Sequence, residues 1–94
     1  FPNKTVTKKV ANQLVKKKLA ACVNITKIDS VYSWKGTIQN DSEYLAFFKT
    51  TIKNKKNLKN EIKKLHPYDV PEIAEINVNS MNKPYLDWLI DSTL

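Results

Sequence analysis

Apolar residues recur every three or four positions in three parts of the chain, and this spacing predicts amphipathic helices. The first covers residues 3–19, where lysines occupy the faces that the apolar stripe leaves free. The second covers residues 54–65 and should end before Pro67, because proline disfavours a helical residue in front of it. The third is a short helix at residues 84–90, in which Pro84 suits the first turn.

Three other segments are rich in β-branched and aromatic residues at alternating positions, which predicts strands. They cover residues 21–35, 43–51 and 73–78. The alternation slips near Asp29-Ser30, so we expect a β-bulge there. The only glycine, Gly36, and the polar residues 39–42 mark the chain reversal that follows. Both faces of segment 43–51 are apolar, which predicts a strand covered by helices on one side and by a partner subunit on the other.

The predicted order is therefore helix, strand, strand, helix, strand, helix. One strand ahead of the first helix would complete a β-α-β-β-α-β ferredoxin-like unit with an additional C-terminal helix, so the predicted fold class is α+β. That first strand is missing from the sequence, in which the helix follows Phe1-Pro2 directly. The 94 residues are enough for one core, and we expect a single domain at residues 1–94.

The formal charge of +7 raises the possibility of a nucleic-acid or polyanion binder. All 16 basic residues are lysines, and arginine, which supplies the bidentate contacts to guanine and phosphate, is absent. Two solvated helix faces are the preferred explanation of the lysines. We therefore do not expect nucleic acid as a partner, and a lysine-rich nucleic-acid or polyanion-binding ferredoxin-like domain is kept as the alternative function.

Cysteine content and hydropathy give an expectation for the cellular location of the protein. The single cysteine, Cys22, excludes an internal disulfide and fits a reducing environment. No apolar run approaches the roughly 20 residues that a membrane-spanning helix needs, and no signal peptide is visible. We therefore expect a cytoplasmic protein without a membrane partner.

The sequence gives little sign of catalysis. It contains no spaced Ser/His/Asp set, no glycine-rich phosphate loop and no Cys-x-x-Cys motif. Proton transfer by Tyr68, Glu72 or Lys49 in a cleft between subunits is a further hypothesis, but no activating partner for these residues is evident. We predict that the protein is not an enzyme.

The segment His-Pro-Tyr-Asp-Val-Pro-Glu-Ile at residues 66–73 is the most unusual part of the sequence. Its two prolines stiffen the path out of the second helix. His66 with Asp69 or Glu72 could provide nitrogen and oxygen ligands for copper or another divalent cation, although a tight site would need more donors, either from water or from a neighbouring subunit. The structural alternative is that His66 caps the helix, Tyr68 fills the core and Glu72 pairs with a lysine.

Five short motifs, taken together, resemble one known family. They are KKLAACVNI at residues 17–25, Tyr32-x-Trp34-x-Gly36, Lys49-Thr50, HPYDVPEI at 66–73 and Tyr85-Leu86-x-Trp88. In order and spacing they are similar to the CutA divalent-cation tolerance family across nearly the whole chain. HPYDVPEI is the specific motif among them, whereas each of the others is weak alone.

The resemblance implies a ferredoxin-like subunit that assembles as a trimer similar in architecture to the PII signalling proteins. It also implies a role in tolerance to copper and other divalent ions, with a metal ligand at the position of His66. Clefts between the subunits would bind a metal ion or a small ligand, and the candidates for lining them are Tyr32, Trp34, Lys49, Tyr68 and Glu72. Leu65 stands where some relatives carry a second histidine, which weakens the expected copper site.

Overall fold

The computed structural model describes all 94 residues, Phe1–Leu94. The elements in chain order are α1 (Lys4–Lys16), β1 (Cys22–Trp34), β2 (Thr37–Lys49), α2 (Lys55–Leu65) and α3 (Lys83–Ser92). The three predicted helices and the two long predicted strands are therefore confirmed. No helix in the chain is sufficiently long and apolar to cross a membrane.

Strands β1 and β2 form one long antiparallel hairpin. Cys22 lies opposite Lys49 at its base, and Trp34 lies opposite Thr37 at its tip, with every intervening residue paired. The predicted bulge at Asp29-Ser30 is therefore wrong. The alternation slips there because both faces carry polar residues beyond the reach of the helices, and not because a residue is added.

The turn of the hairpin is tighter than predicted. Lys35 and Gly36 both have positive φ angles, 51° and 78°, as in the two-residue turns that match the twist of paired strands. Strand β2 therefore begins at Thr37, and the polar residues 39–42 that were assigned to the reversal belong to the strand.

The two faces of the hairpin differ, because successive side chains in a strand point in opposite directions. The covered face carries Val23 and Phe48, which pack against the helices. The open face points away from the helical layer, and Leu45 and Phe47 are exposed there. The open face is defined by alternate residues of both strands: Cys22, Asn24, Thr26, Ile28, Ser30, Tyr32 and Trp34 of β1, and Thr37, Gln39, Asp41, Glu43, Leu45, Phe47 and Lys49 of β2.

Helices α1 and α2 supply the core that covers the hairpin. The buried cluster comprises Val10, Leu14, Ala20, Leu58 and Ile62. Four of them lie on the apolar stripes of α1 and α2, whose outer faces carry lysines, and Ala20 lies in the connection after α1. The start of α1 is capped by Asn3, whose Oδ1 accepts a hydrogen bond of 2.8 Å from the Val6 amide.

The predicted strand at residues 73–78 is wrong. The segment forms no strand pair and makes no backbone hydrogen bond to another part of the chain. In a ferredoxin-like sheet its neighbour is the strand that precedes the first helix, and that strand is not among the residues described. Phe1 marks the expected place, since it exchanges two backbone hydrogen bonds with Tyr44, of 2.8 and 3.0 Å, as antiparallel neighbours do.

Candidate functional site

His66 joins α2 to the proline-containing loop. It is the C-cap of α2, and its extended backbone, with φ of −71° and ψ of 132°, leads into Pro67. The His66 ring stacks on Phe1 with 4.2 Å between ring centres, and its Nδ1 accepts a hydrogen bond of 3.1 Å from the Tyr68 amide. Burial lowers the pKa of His66 below its ordinary value. A neutral ring with Nδ1 accepting carries its proton on Nε2.

Tyr68 turns from this loop toward the open face of the hairpin. Its hydroxyl donates a hydrogen bond of 2.9 Å to Glu43 Oε1. Burial, together with that bond to a carboxylate, raises the pKa of Tyr68 to about 12. The pKa of Glu43 is lowered in turn, because the Ser30 and Tyr68 hydroxyls stabilise its ionised form. A half-buried carboxylate that accepts the Tyr68 hydrogen bond is thus the centre of this part of the site.

Tyr32 lies beside this group on the same face. Its hydroxyl donates a hydrogen bond of 2.6 Å to Asp41 Oδ2, and that bond raises the pKa of Tyr32. Asp41 and Glu43 are two residues apart on β2, so their side chains share the open face. Two predicted cleft residues, Tyr32 and Tyr68, are therefore brought together by two carboxylates that the sequence reasoning did not name.

Lys49 is at the opposite end of the hairpin from Trp34. It closes β2 at the base, while Trp34 lies at the tip, half exposed, with Lys35 Nζ 5.8 Å from its ring centre. Because a strand rises about 3.3 Å per residue, these ends are about 40 Å apart. A single chain therefore does not bring Lys49 and Trp34 to one cleft, although both lie on the open face.

The three predicted metal ligands do not form a cluster within the chain. No group of three or more His, Cys, Asp or Glu side chains is close enough to hold an ion. Asp69 and Glu72 are exposed, and neither forms an ion pair. His66 provides one ring nitrogen at most, since the Tyr68 amide occupies Nδ1. Within one chain, the three predicted ligands therefore do not come together as a set.

Several residues of the site were missed because their neighbours were unknown. Glu43 was assigned to the edge of a strand, and Asp41 was assigned to a turn. Once the two-residue turn is placed, the register of the hairpin puts both side chains on the same face as Tyr32, and this could have identified them. Tyr85 was noted only as part of a motif, yet it accepts a hydrogen bond of 3.3 Å from Lys49 Nζ. The stacking of Phe1 on His66 has no signal in the sequence.

Comparison with known proteins gives consistent results. The family model described as CutA1 divalent ion tolerance protein matches residues 1–92. A divalent-cation tolerance protein CutA from Thermotoga maritima is 42% identical over 94 residues, which is 100% of this chain and 93% of that protein. The crystal structure of CutA1 from Pyrococcus horikoshii superposes with a TM-score of 0.97 at 41% identity, covering 100% of this chain and 92% of the other.

A further solved structure relates the fold to a wider class. The PII-like protein CutA from Nostoc, in apo form, superposes with a TM-score of 0.90 at 32% identity and covers 96% of this chain and 88% of that one. The hairpin and helices described above thus represent an α+β, ferredoxin-like fold of the PII-like type. On the whole-chain family match and these similarities, the chain belongs to the CutA1 divalent ion tolerance protein family.

Proposed function

We propose that this protein is a homotrimeric PII-like module acting in divalent metal ion tolerance, and that it binds a metal ion or a small ligand in clefts between subunits. One observation carries the proposal. The predicted cleft residues Tyr32, Trp34 and Lys49 share the open face but are distributed along a hairpin whose outer part no other element covers. Only the base of one copy and the tip of another can place them together.

The exposed surface of the hairpin tip supports assembly. Val31 and Ile38 are 70% and 65% exposed on one face, and Trp34 is 47% exposed on the other. Large apolar side chains exposed on both faces of one hairpin tip are typical of an interaction site. The PII-like relationship makes a ring of identical copies the simplest partner.

The proposed metal, copper or another divalent cation, would be bound between chains rather than within one. His66 would contribute Nε2, and Asp69 or Glu72 would contribute carboxylate oxygens. Coordination through Nε2 requires the ring proton to leave that atom, which competes with the present hydrogen bond from the Tyr68 amide to Nδ1. We therefore expect moderate affinity.

Calorimetric titration with Cu²⁺ and Zn²⁺ tests the metal role. His66→Ala should weaken binding by at least about ten-fold, which is about 1.4 kcal/mol. Asn57→Ala, an exposed change on α2, is the matched control and should bind as the unmodified protein does. Equal affinity in the His66→Ala variant would remove this residue from the site.

We also propose a binding module in place of an enzyme. The Tyr68 hydroxyl donates to Glu43, and the raised pKa of Tyr68, about 12, makes it a poor proton-transfer group near neutral pH. Family membership does not favour the alternative of a lysine-driven polyanion binder.

The cytoplasmic location of the protein stays a prediction. Fractionation of cells that produce the protein would test it.

A further inference from the structure

Lys49 differs from every other lysine in the chain. Five of the 16 lysines form ion pairs, namely Lys17, Lys55, Lys59, Lys64 and Lys83. The remaining lysines are exposed, with the exception of Lys49, which is half-buried. Lys49 is thus the one lysine that combines partial burial with the absence of a carboxylate partner. A partly desolvated charge without a counter-charge costs free energy, and a bound anion would reduce that cost.

The one polar partner of the Lys49 side chain is a neutral hydroxyl. Lys49 Nζ donates a hydrogen bond of 3.3 Å to the Tyr85 hydroxyl and lies 5.4 Å from the centre of the Tyr85 ring. The Tyr85 oxygen accepts this bond, so its own proton remains available. Tyr32 and Tyr68, in contrast, both donate to carboxylates. The base of the open face therefore presents an ammonium and a hydroxyl donor side by side.

The position of Tyr85 is fixed by the packing of α3. The Trp88 ring lies 5.4 Å from the Tyr85 ring, one turn along the helix. Leu89, which is 3% exposed, anchors the same helix in the interior. Asn54 adds a hydrogen bond of 2.9 Å to the carbonyl oxygen of Thr93 at the helix end. The two donors are thus held in place before any ligand binds, which limits the entropy lost on binding.

The surroundings of this donor pair are apolar. Phe47 lies two residues from Lys49 on the same face of β2 and is 46% exposed. Leu86 follows Tyr85 directly on α3 and is 39% exposed. A ligand that satisfies both donors would therefore place an apolar part against these two side chains. Sites of this kind combine a mostly apolar lining with a few oriented polar groups.

We propose that Lys49 and Tyr85 bind the anionic group of a small amphipathic ligand, a carboxylate or a phosphate ester, whose apolar part rests on Phe47 and Leu86. This inference builds on the proposed function, because it names the ligand class for the base of the same open face. The Lys49 ammonium supplies the charge, the Tyr85 hydroxyl supplies the second hydrogen bond, and Trp88 supports the Tyr85 ring.

Three simple probes separate the contributions of charge and apolar surface. Benzoate and phenyl phosphate carry a ring with each kind of anion, whereas benzamide has the shape of benzoate without its charge. Binding of each at millimolar concentration is measured by NMR titration of the full chain. We expect benzoate or phenyl phosphate to bind and benzamide to bind at least about ten times more weakly, as hydrogen bonds to charged groups predict. The tighter of the two anions identifies the group that the site prefers.

Two variants and a control test whether the probes bind at Lys49 and Tyr85. Lys49→Gln should reduce anion binding by about ten-fold and Tyr85→Phe by about three-fold. Lys27→Gln, on the other face of the hairpin, should leave anion binding unchanged. Unaltered binding in Lys49→Gln, equal binding of benzamide, or no anion binding by the unmodified chain would overturn the proposal. Sedimentation of the same samples separates the anion site from the proposed trimer. A trimer that binds no anion would contradict the anion site and leave the trimer standing.

Discussion

The two halves of the β1–β2 hairpin have the same strand pairing but very different surroundings. In the base half, residues 22–28 and 43–49, Val23 and Phe48 pack against the helical core. In the outer half, residues 29–42, Val31 and Ile38 are exposed to 70% and 65%. A two-stranded hairpin alone is marginally stable in water. The difference teaches that the helical core supports only the base half, and that the outer half is the surface which the proposed assembly would cover.

The candidate site lies where the two halves meet. Glu43 belongs to the last part of the base half and accepts the hydrogen bond from Tyr68, while Asp41, in the outer half, accepts one from Tyr32. Polar groups with fixed partners thus occupy the boundary between a packed region and an uncovered one. In the proposed assembly, a second chain on the outer half would make this boundary one wall of a cleft.

The largest expected effect comes from the outer half. Val31→Asp combined with Ile38→Asp should convert the proposed trimer into single chains, because burying two carboxylates costs several kcal/mol in each interface. The isolated chain should remain folded, since both positions are exposed in it. Sedimentation equilibrium and circular dichroism measure the two properties.

A charge-matched control makes this experiment specific. Asn57→Asp with Asn60→Asp adds the same charge on exposed positions of α2. That variant should keep the oligomeric state of the unmodified protein. If the hairpin variant also kept it, the outer half would not be the interface.

The second prediction concerns the core that supports the base half. Leu14 is fully buried, so Leu14→Ala should lower the free energy of unfolding by about 2–5 kcal/mol. Val15, its neighbour on α1, is 40% exposed, and Val15→Ala should cost less than about 1 kcal/mol. Urea denaturation monitored by fluorescence measures the free energy of unfolding of both variants. Similar losses in both variants would show that the helical layer is not the main support.

The smallest effect is the pH dependence at the boundary. The Ser30 and Tyr68 hydroxyls lower the pKa of Glu43 below 4.5, so its contribution to stability is present above pH 4.5 and is lost as the pH falls through the lowered pKa. Glu43→Gln should remove this dependence, a change below about 1 kcal/mol for a half-exposed group. The lysine-paired Glu61 and Glu75 have lowered pKa values in both proteins, so the difference between the two unfolding curves isolates Glu43. Parallel curves from pH 6 to 3 would contradict the assignment.

Local patterns were sufficient for most of the fold. The stripe that includes Val10 and Leu14 predicted α1, and the stripe with Leu58 and Ile62 predicted α2, because each helix buries one face. The end of α1 was misplaced by three residues, since Lys18 adopts a left-handed conformation with φ of 61° that no local pattern indicated.

Non-local pairing explains the remaining errors. Residues 73–78 alternate as a strand does, but alternation does not reveal whether a neighbouring strand is available. The roles of Glu43 and Asp41 depended on the register of β1 with β2, which the turn at Lys35-Gly36 sets. The sequence therefore identified the loop that carries Tyr68 and not the carboxylate that receives its hydrogen bond.

The mass of the unmodified protein in solution tests the central claim most directly. Sedimentation equilibrium at micromolar concentration should give three times the 10.8 kDa of one chain, with Trp34 fluorescence shifted to the blue by burial. The Val31→Asp, Ile38→Asp variant should give the mass of one chain and a red-shifted spectrum. A folded, unmodified protein that sediments as single chains of 10.8 kDa would contradict the account.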